Sequence, residues 1–379
     1  MELIIGILAG LIILVLLVVV HELGHAIVAH RNGVVVEEFG IGFPPKAWGK
    51  KLKNGVLFTL NWLPLGGFVK MQGENDAASK KGDYGAASFW AKTKILFAGV
   101  LVNWLVAAII LTGLAVTGLP KILPNQFSVA GDAKVMTEPV RLMNIVKGSP
   151  AEKAGFQVYD EVKQFDGKKV TSQTQLINFT SEYRGKTVSI VYTRGGVETT
   201  KRVTLANNDR GNFGAALSQQ ERLKATWSAP IVGIATTGQF TWVTLQGLGD
   251  VIVNFAKGLV SQLSPDTATR QEGGKQLDTV SASVAGPIGI LGVIFPSAAK
   301  AGPTELLFLT AIISLTLAVM NVLPIPALDG GRWFLMTLYR LRKKELTKEK
   351  EEKIVGTSFM ILIGLIILVT IADVGKLGQ

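Results

Sequence analysis

The residues with the plainest chemistry are His21-Glu22-Leu23-Gly24-His25. On a helix, positions i and i+4 stack on one face, so the two imidazoles can hold one ion between them. Zinc suits this pair, because imidazole is a good ligand for it and a catalytic zinc takes three protein ligands, leaving a position for water. Glu22, on the adjoining face, is placed to accept that water's proton. A third ligand has to come from elsewhere in the chain. His30 follows His25 by five residues, whereas the long zincin pattern needs six. With no other histidine and no cysteine, a carboxylate remains. Asp329 is the only acid within or bordering the later apolar runs apart from Glu305 and Asp373 at their ends. It sits in Asn321-Val322-Leu323-Pro324-Ile325-Pro326-Ala327-Leu328-Asp329-Gly330-Gly331, where two prolines and two glycines close an apolar run. Such a segment cannot stay a regular helix, and unwinding lets the carboxylate turn towards an ion. The plainer alternative is a proline-terminated helix with a capping Asp.

The elements that must position these groups follow from hydropathy. Of 379 residues, 48% are hydrophobic and 18% charged, with a mean hydropathy of +0.36, too apolar for a water-soluble chain of this length. The stretches 3–20, 95–119, 306–328 and 354–372 carry no charge, and each can cross about 30 Å of hydrocarbon. Four transmembrane helices are expected. The first has Glu2 where a signal peptide has a basic region, so it is expected to remain attached. Nine Lys and Arg lie in 29–93 and eight in 332–353, against Lys376 alone at the termini. The two basic loops are therefore expected on the cytoplasmic side, with the termini and the insert 120–303 outside. Helices one and three then run in the same direction, which puts His21, His25 and Asp329 near one cytoplasmic face. A fifth span would undo this, so the polar-interrupted 225–249 is expected as an interfacial or domain-packed helix. The net charge of +11 belongs to these membrane ends, and a nucleic-acid partner is excluded. The absence of cysteine excludes disulfides, iron–sulfur clusters and thiol catalysis.

Within the cytoplasmic loop, residues 56–60 alternate, and Gly66-Gly67-Phe68-Val69-Lys70-Met71 can form the edge of a membrane-associated β-hairpin over 34–73. An unpaired edge at Gly66, Gly67 and Phe68 can hold an extended chain by strand addition. A hairpin that merely lies on the membrane is the alternative. In the insert, Asn144-Ile145-Val146-Lys147-Gly148-Ser149-Pro150-Ala151-Glu152-Lys153-Ala154-Gly155-Phe156 runs into Asp160-Glu161-Val162-Lys163-Gln164-Phe165-Asp166-Gly167. This resembles a PDZ domain, which either adds a peptide strand or filters substrates by size.

Taken together, these motifs resemble the site-2 protease family of intramembrane zinc metalloproteases, of the bacterial regulator of sigma-E protease type, over nearly the whole length. Phe39-Gly40-Ile41-Gly42-Phe43 and Gly286-Pro287-Ile288-Gly289-Ile290 add to the likeness. The resemblance implies zinc on His21, His25 and Asp329, Glu22 as general base, and Asn321 in holding substrate. It implies a multi-pass protein of the bacterial inner membrane that cleaves transmembrane segments of single-span proteins. The substrates implied are anti-sigma factors already trimmed by an upstream site-1 protease, or remnant signal peptides. Two departures stand out: Ala98-Gly99-Val100 precedes Asn103 where the family often has Ala-Gly-Pro, and there is room for one PDZ domain rather than two.

The fold expected is thus a multispanning α-helical membrane protein with four transmembrane helices, a cytoplasmic membrane-associated β-hairpin region and an extracytoplasmic PDZ (α+β) domain. The parts are a membrane protease half at 1–119, the PDZ domain at 128–218, an interfacial helical connector at 219–303 and a second membrane half at 304–379, with membrane lipid as a partner of the protein. One rival is a non-catalytic PDZ membrane adaptor, which leaves the ligand and base residues idle. Another is a metal transporter, which leaves Glu22 and the PDZ domain without roles.

Overall fold

The computed structural model describes residues 2–207 and 212–377. The first compact unit comprises Met1–Gly113 with Gly233–Gln379, and the second Leu114–Val232.

Helix α1 (Glu2–Arg31) runs unbroken through the HELGH residues. Within lipid the backbone can satisfy itself only along the helix, so glycines and β-branched residues that weaken a helix in water are tolerated there. Polar chain at Asn32 and Gly33 stops it: the Asn32 amide donates to Val28 O, and Gly33 adopts a φ of +79°. Strands β1 (Val36–Lys51) and β2 (Leu57–Met71) are long and bent, and pair antiparallel in more than one register. Residues 36–41 oppose both 57–60 and 67–71, while 46–51 oppose 57–61. The segment 67–71 is therefore an outer edge of this sheet. Helix α2 (Phe89–Thr117) follows, its first turn capped by the Ser88 hydroxyl, which accepts from Ala91 N at 3.2 Å.

The second unit is mostly β. After β3 (Leu119–Pro120) and β4 (Lys134–Thr137) come β5 (Val140–Ile145), the short helix α3 (Pro150–Lys153), β6 (Glu161–Phe165), β7 (Lys168–Lys169), α4 (Gln173–Glu182), β8 (Thr187–Arg194), β9 (Val197–Thr204), β10 (Ala215–Ser218) and β11 (Glu221–Lys224). One sheet has the order β10-β5-β6-β8-β9, with β7 on β6; a smaller one is β3-β11-β4. Ser149 and Ser172 cap α3 and α4 through their side chains, as Ser before Pro or a polar turn should. Leu142, Val162, Phe165 and Ile190 from the strands and Leu176 from the inner face of α4 form the core, a register shift after Val162 turning Phe165 inward as well. Buried Asp160 is held by both Nε and Nη2 of Arg194, at 2.6 and 2.7 Å, which offsets the cost of burying its charge.

The chain returns through α5 (Ala229–Gln262), α6 (Thr267–Ser283), α7 (Pro287–Gly289), a π-helical stretch at Ile290–Ile294, α8 (Phe295–Ala301), α9 (Pro303–Val322), α10 (Asp329–Leu341) and α11 (Lys348–Leu377). The expected helix around 225–249 is the first part of α5. From residue 233 on it packs on α2 and α9, with Trp104 Nε1 donating to Thr241 Oγ1 at 3.1 Å and Phe240 edge-on to Phe308. Its Thr237 and Thr241 hydroxyls donate to carbonyls one turn back, which hides their polarity.

Among the described residues, α1, α2, α9 and α11 are long and apolar enough to cross a membrane. The pair Thr267–Ser283 and Pro287–Ala301, bent by 43°, would add a fifth if it formed one span. Leu8, Ile12 and Leu16 on α1, and Ile361, Leu365 and Leu368 on α11, are more than half exposed. A belt of this kind is explained by lipid and not by water. Helix α9 ends at Val322, six residues before the apolar run does. The prolines break it there, leaving turns closed by Ile325 N to Leu323 O and Leu328 N to Ile325 O.

Candidate metal centre

Three donor atoms from distant chain segments converge where α1, α2 and α10 meet. His21 Nε2 lies 3.2 Å from Asp329 Oδ2, His25 Nε2 lies 3.3 Å from the same oxygen, and the two Nε2 atoms are 3.1 Å apart. Both histidines are buried. Four tetrahedral zinc ligands at bond lengths of about 2.0 Å are separated by about 3.3 Å, so this triangle has the dimensions of one face of such a site.

Hydrogen bonding argues the same way. His25 Nδ1 is 2.7 Å from Ile95 O, a contact that needs a proton on Nδ1 and leaves a bare lone pair on Nε2. Asp329 Oδ2 is buried without a hydrogen-bond partner although two imidazole nitrogens lie against it. One proton can bridge only one side of such a triangle, whereas a cation at its centre satisfies all three. The residues fit zinc.

Local sequence explains each placement. Asp329 is the first residue of α10, brought in by the break after Val322. A Cβ at Gly331 would fall 1.8 Å from Ile325 O, so only glycine lets α10 start this close to the proline turn. From the other side comes α2, which runs without a break through Ala98-Gly99-Val100. A Cβ at Gly99 would stand 2.5 Å from His25 Nε2 and 2.7 Å from His21 Nε2. In the sequence Gly99 is only one residue of a motif; its bareness is what lets the α2 backbone lie against the donors.

The remaining expected site residues are placed less uniformly. Gly67 lies over Glu22: a Cβ there would be 3.5 Å from Glu22 Cγ and 3.1 Å from Gly40 O. The edge strand and the carboxylate are thus neighbours. Gly66 takes a φ of +106°, and a side chain there would meet the Phe43 ring, while Phe68 stacks its ring over Gly40. Asn321 donates to Leu317 O in its own helix at 3.0 Å.

Asp329 is also anchored from behind. One turn later on α10, Arg332 donates to Glu74 Oε1 at 2.8 Å, lies 3.6 Å from Glu351 and covers the Tyr84 ring. Glu351 in turn accepts from Asp76 N, and Asp76 pairs with Lys92. The loop after β2, α2, α10 and α11 are joined by this network. Burial alone lowers the Arg332 pKa, but the carboxylates of Glu74 and Glu351 outweigh it and the net direction is upward, so the guanidinium stays charged. Nothing in the sequence marked this cluster, because its members are scattered from residue 74 to residue 351.

Compared with known families, the chain matches the model of Peptidase family M50 over residues 9–365. It belongs to peptidase family M50. This M50 peptidase is 34% identical over 358 residues to a Clostridium perfringens protein with a provisional zinc metalloprotease name, covering 94% of this chain and 95% of that one. It is 27% identical to the zinc metalloprotease RasP of Bacillus licheniformis, covering 98% and 99%. With the regulator of sigma-W protease RasP of Bacillus subtilis it shares 25% over 98% of each chain. A solved PDZ domain of an SdrC-like protein from Listeria monocytogenes is 22% identical, covering 24% of this chain and 93% of that one, with a TM-score of 0.19. The M50 peptidase is therefore a zinc metalloendopeptidase and an integral membrane protein, which sets the adaptor reading aside.

Proposed function

We propose that this peptidase hydrolyses a peptide bond inside the membrane-spanning segment of a single-span protein. His21, His25 and Asp329 hold the zinc, and Glu22 is the general base. The observation that carries this is the convergence of the three donor atoms within 4.8 Å of one another at the end of a membrane helix. Zinc, when bound, polarises the scissile carbonyl and acidifies the attacking water. Glu22 takes that water's proton and passes it to the leaving amine. The edge 67–71 pairs with the extended substrate, Gly67 giving it room beside Glu22, and Asn321 gives up its intrahelical hydrogen bond to hold the substrate backbone.

By the positive-inside asymmetry, the metal end faces the cytoplasm of a bacterial inner membrane, with the termini and the PDZ domain (128–218) outside. The membrane halves at 1–119 and 304–379 are bridged by the connector 219–303. RasP of Bacillus subtilis is named for sigma-W regulation, which favours an anti-sigma factor trimmed by a site-1 protease, or a remnant signal peptide, as substrate. The test is a proteomic comparison of membrane peptides in cells carrying wild type or Glu22→Gln. Single-span fragments should accumulate with the variant. Equal fragment pools, or normal turnover by pure Glu22→Gln, would refute the reading.

A further inference from the structure

We propose that Asn103 is a positioning residue of the metal centre: its side-chain carbonyl accepts the Nδ1 proton of His21 and so holds Nε2 towards the ion. This rests on the ligand set proposed above.

Asn103 lies on α2, one turn beyond Gly99, and is fully buried. Its Nδ2 stands 3.4 Å from His21 Nδ1, while its Oδ1 is buried without any hydrogen-bond partner. Both features are faults if Nε2 of His21 ligates a metal. The Nδ1 must then carry the ring's proton and would face another donor, with an acceptor left idle beside it. The amide nitrogen and oxygen are alike in shape, and a half-turn about the last side-chain bond exchanges them. That single rotation puts an acceptor against the Nδ1 proton and gives the orphaned oxygen a partner. Asn103 then does for His21 what Ile95 O, two turns earlier on α2, does for His25. The residue is also locked in place, because Ser314 Oγ of α9 donates to Asn103 O at 2.8 Å. One helix therefore fixes the tautomer of both imidazole ligands, the usual task of groups behind a metal's ligands.

The test uses full-length protein in detergent and reads zinc affinity by competition with a chromophoric chelator, alongside the Co²⁺ absorption spectrum. Asn103→Leu keeps the volume and removes the acceptor; Asn103→Asp keeps the oxygen. Asn103→Leu should weaken zinc about 10- to 100-fold, and Asn103→Asp should rescue to within about threefold, with all metal-free forms melting alike. Wild-type affinity in Asn103→Leu, or equal loss in both variants, would overturn the assignment. Should Asn103→Leu not accumulate, Asn103→Ala is compared with Asn103→Asp under the same two outcomes. His21→Ala is the control: zinc retained there would sink the ligand set itself and not the role of Asn103.

Discussion

Gly99 matters for what it lacks. Any side chain there enters the space of the two Nε2 atoms, and helix backbone cannot easily retreat. Gly99→Ala should therefore lower kcat/KM by roughly a hundredfold and leave purified protein with well under one zinc, measured by metal analysis. Glu22→Gln should behave oppositely in one respect, keeping a full zinc complement while losing about 10²- to 10⁴-fold in rate. These two residues also show how far sequence reaches. The pairing of His21 with His25 is legible because helical spacing is local, and the approach of Asp329 to them was reachable because so few acids lie in apolar chain. Gly99, Ile95 O and Asn103 reach the histidines through the approach of α2 to α1, which no spacing records.

The hairpin sheet exposes one strand edge beside Glu22, and the tightness there can be probed. Gly67→Val would press on Glu22 and on Gly40 O, so activity should fall about a hundredfold with zinc content unchanged. Normal activity would show that the edge is not the substrate's seat. The Arg332 network calls for a different measurement. Removing the guanidinium leaves Glu74 and Glu351 near each other without their cation. Because Glu74 is about a third exposed, the cost of Arg332→Ala should be about 2 kcal/mol, below that of a fully buried pair, read from denaturant unfolding in detergent. The proline break was readable from Pro324 and Pro326. The full length of α5 was not, since Gly247, Gly249 and Asp250 look like a stop, yet the helix runs through them to Gln262.

Two properties belong to the molecule as a whole. The proposed zinc ligands come from α1 and α10, so chelation should lower the melting temperature; at a thousandfold excess over Kd the metal contributes about 4 kcal/mol. His25→Ala should melt at the same temperature with or without chelator. In the second unit, the Ser228 and Thr226 hydroxyls donate to Asp132, helped by their backbone amides, and hold its carboxyl well below the usual range. A depressed carboxylate stabilises the fold above its ordinary pKa of about 4 and loses that contribution as pH falls further. Asp132→Asn should therefore flatten the acid limb of a stability–pH curve. The four candidate membrane helices among the described residues were legible because long apolar runs leave little choice. The pairing of β11 with β3 and β4 was hidden, being short strands joined across about a hundred residues.

His25 leaves the ribosome 304 residues before Asp329. A chain still being translated holds two of the proposed ligands and lacks the third, so the centre assembles only once α10 has joined α1. The order of the chain thereby keeps the proposed centre incomplete while α1 and α2 are being inserted.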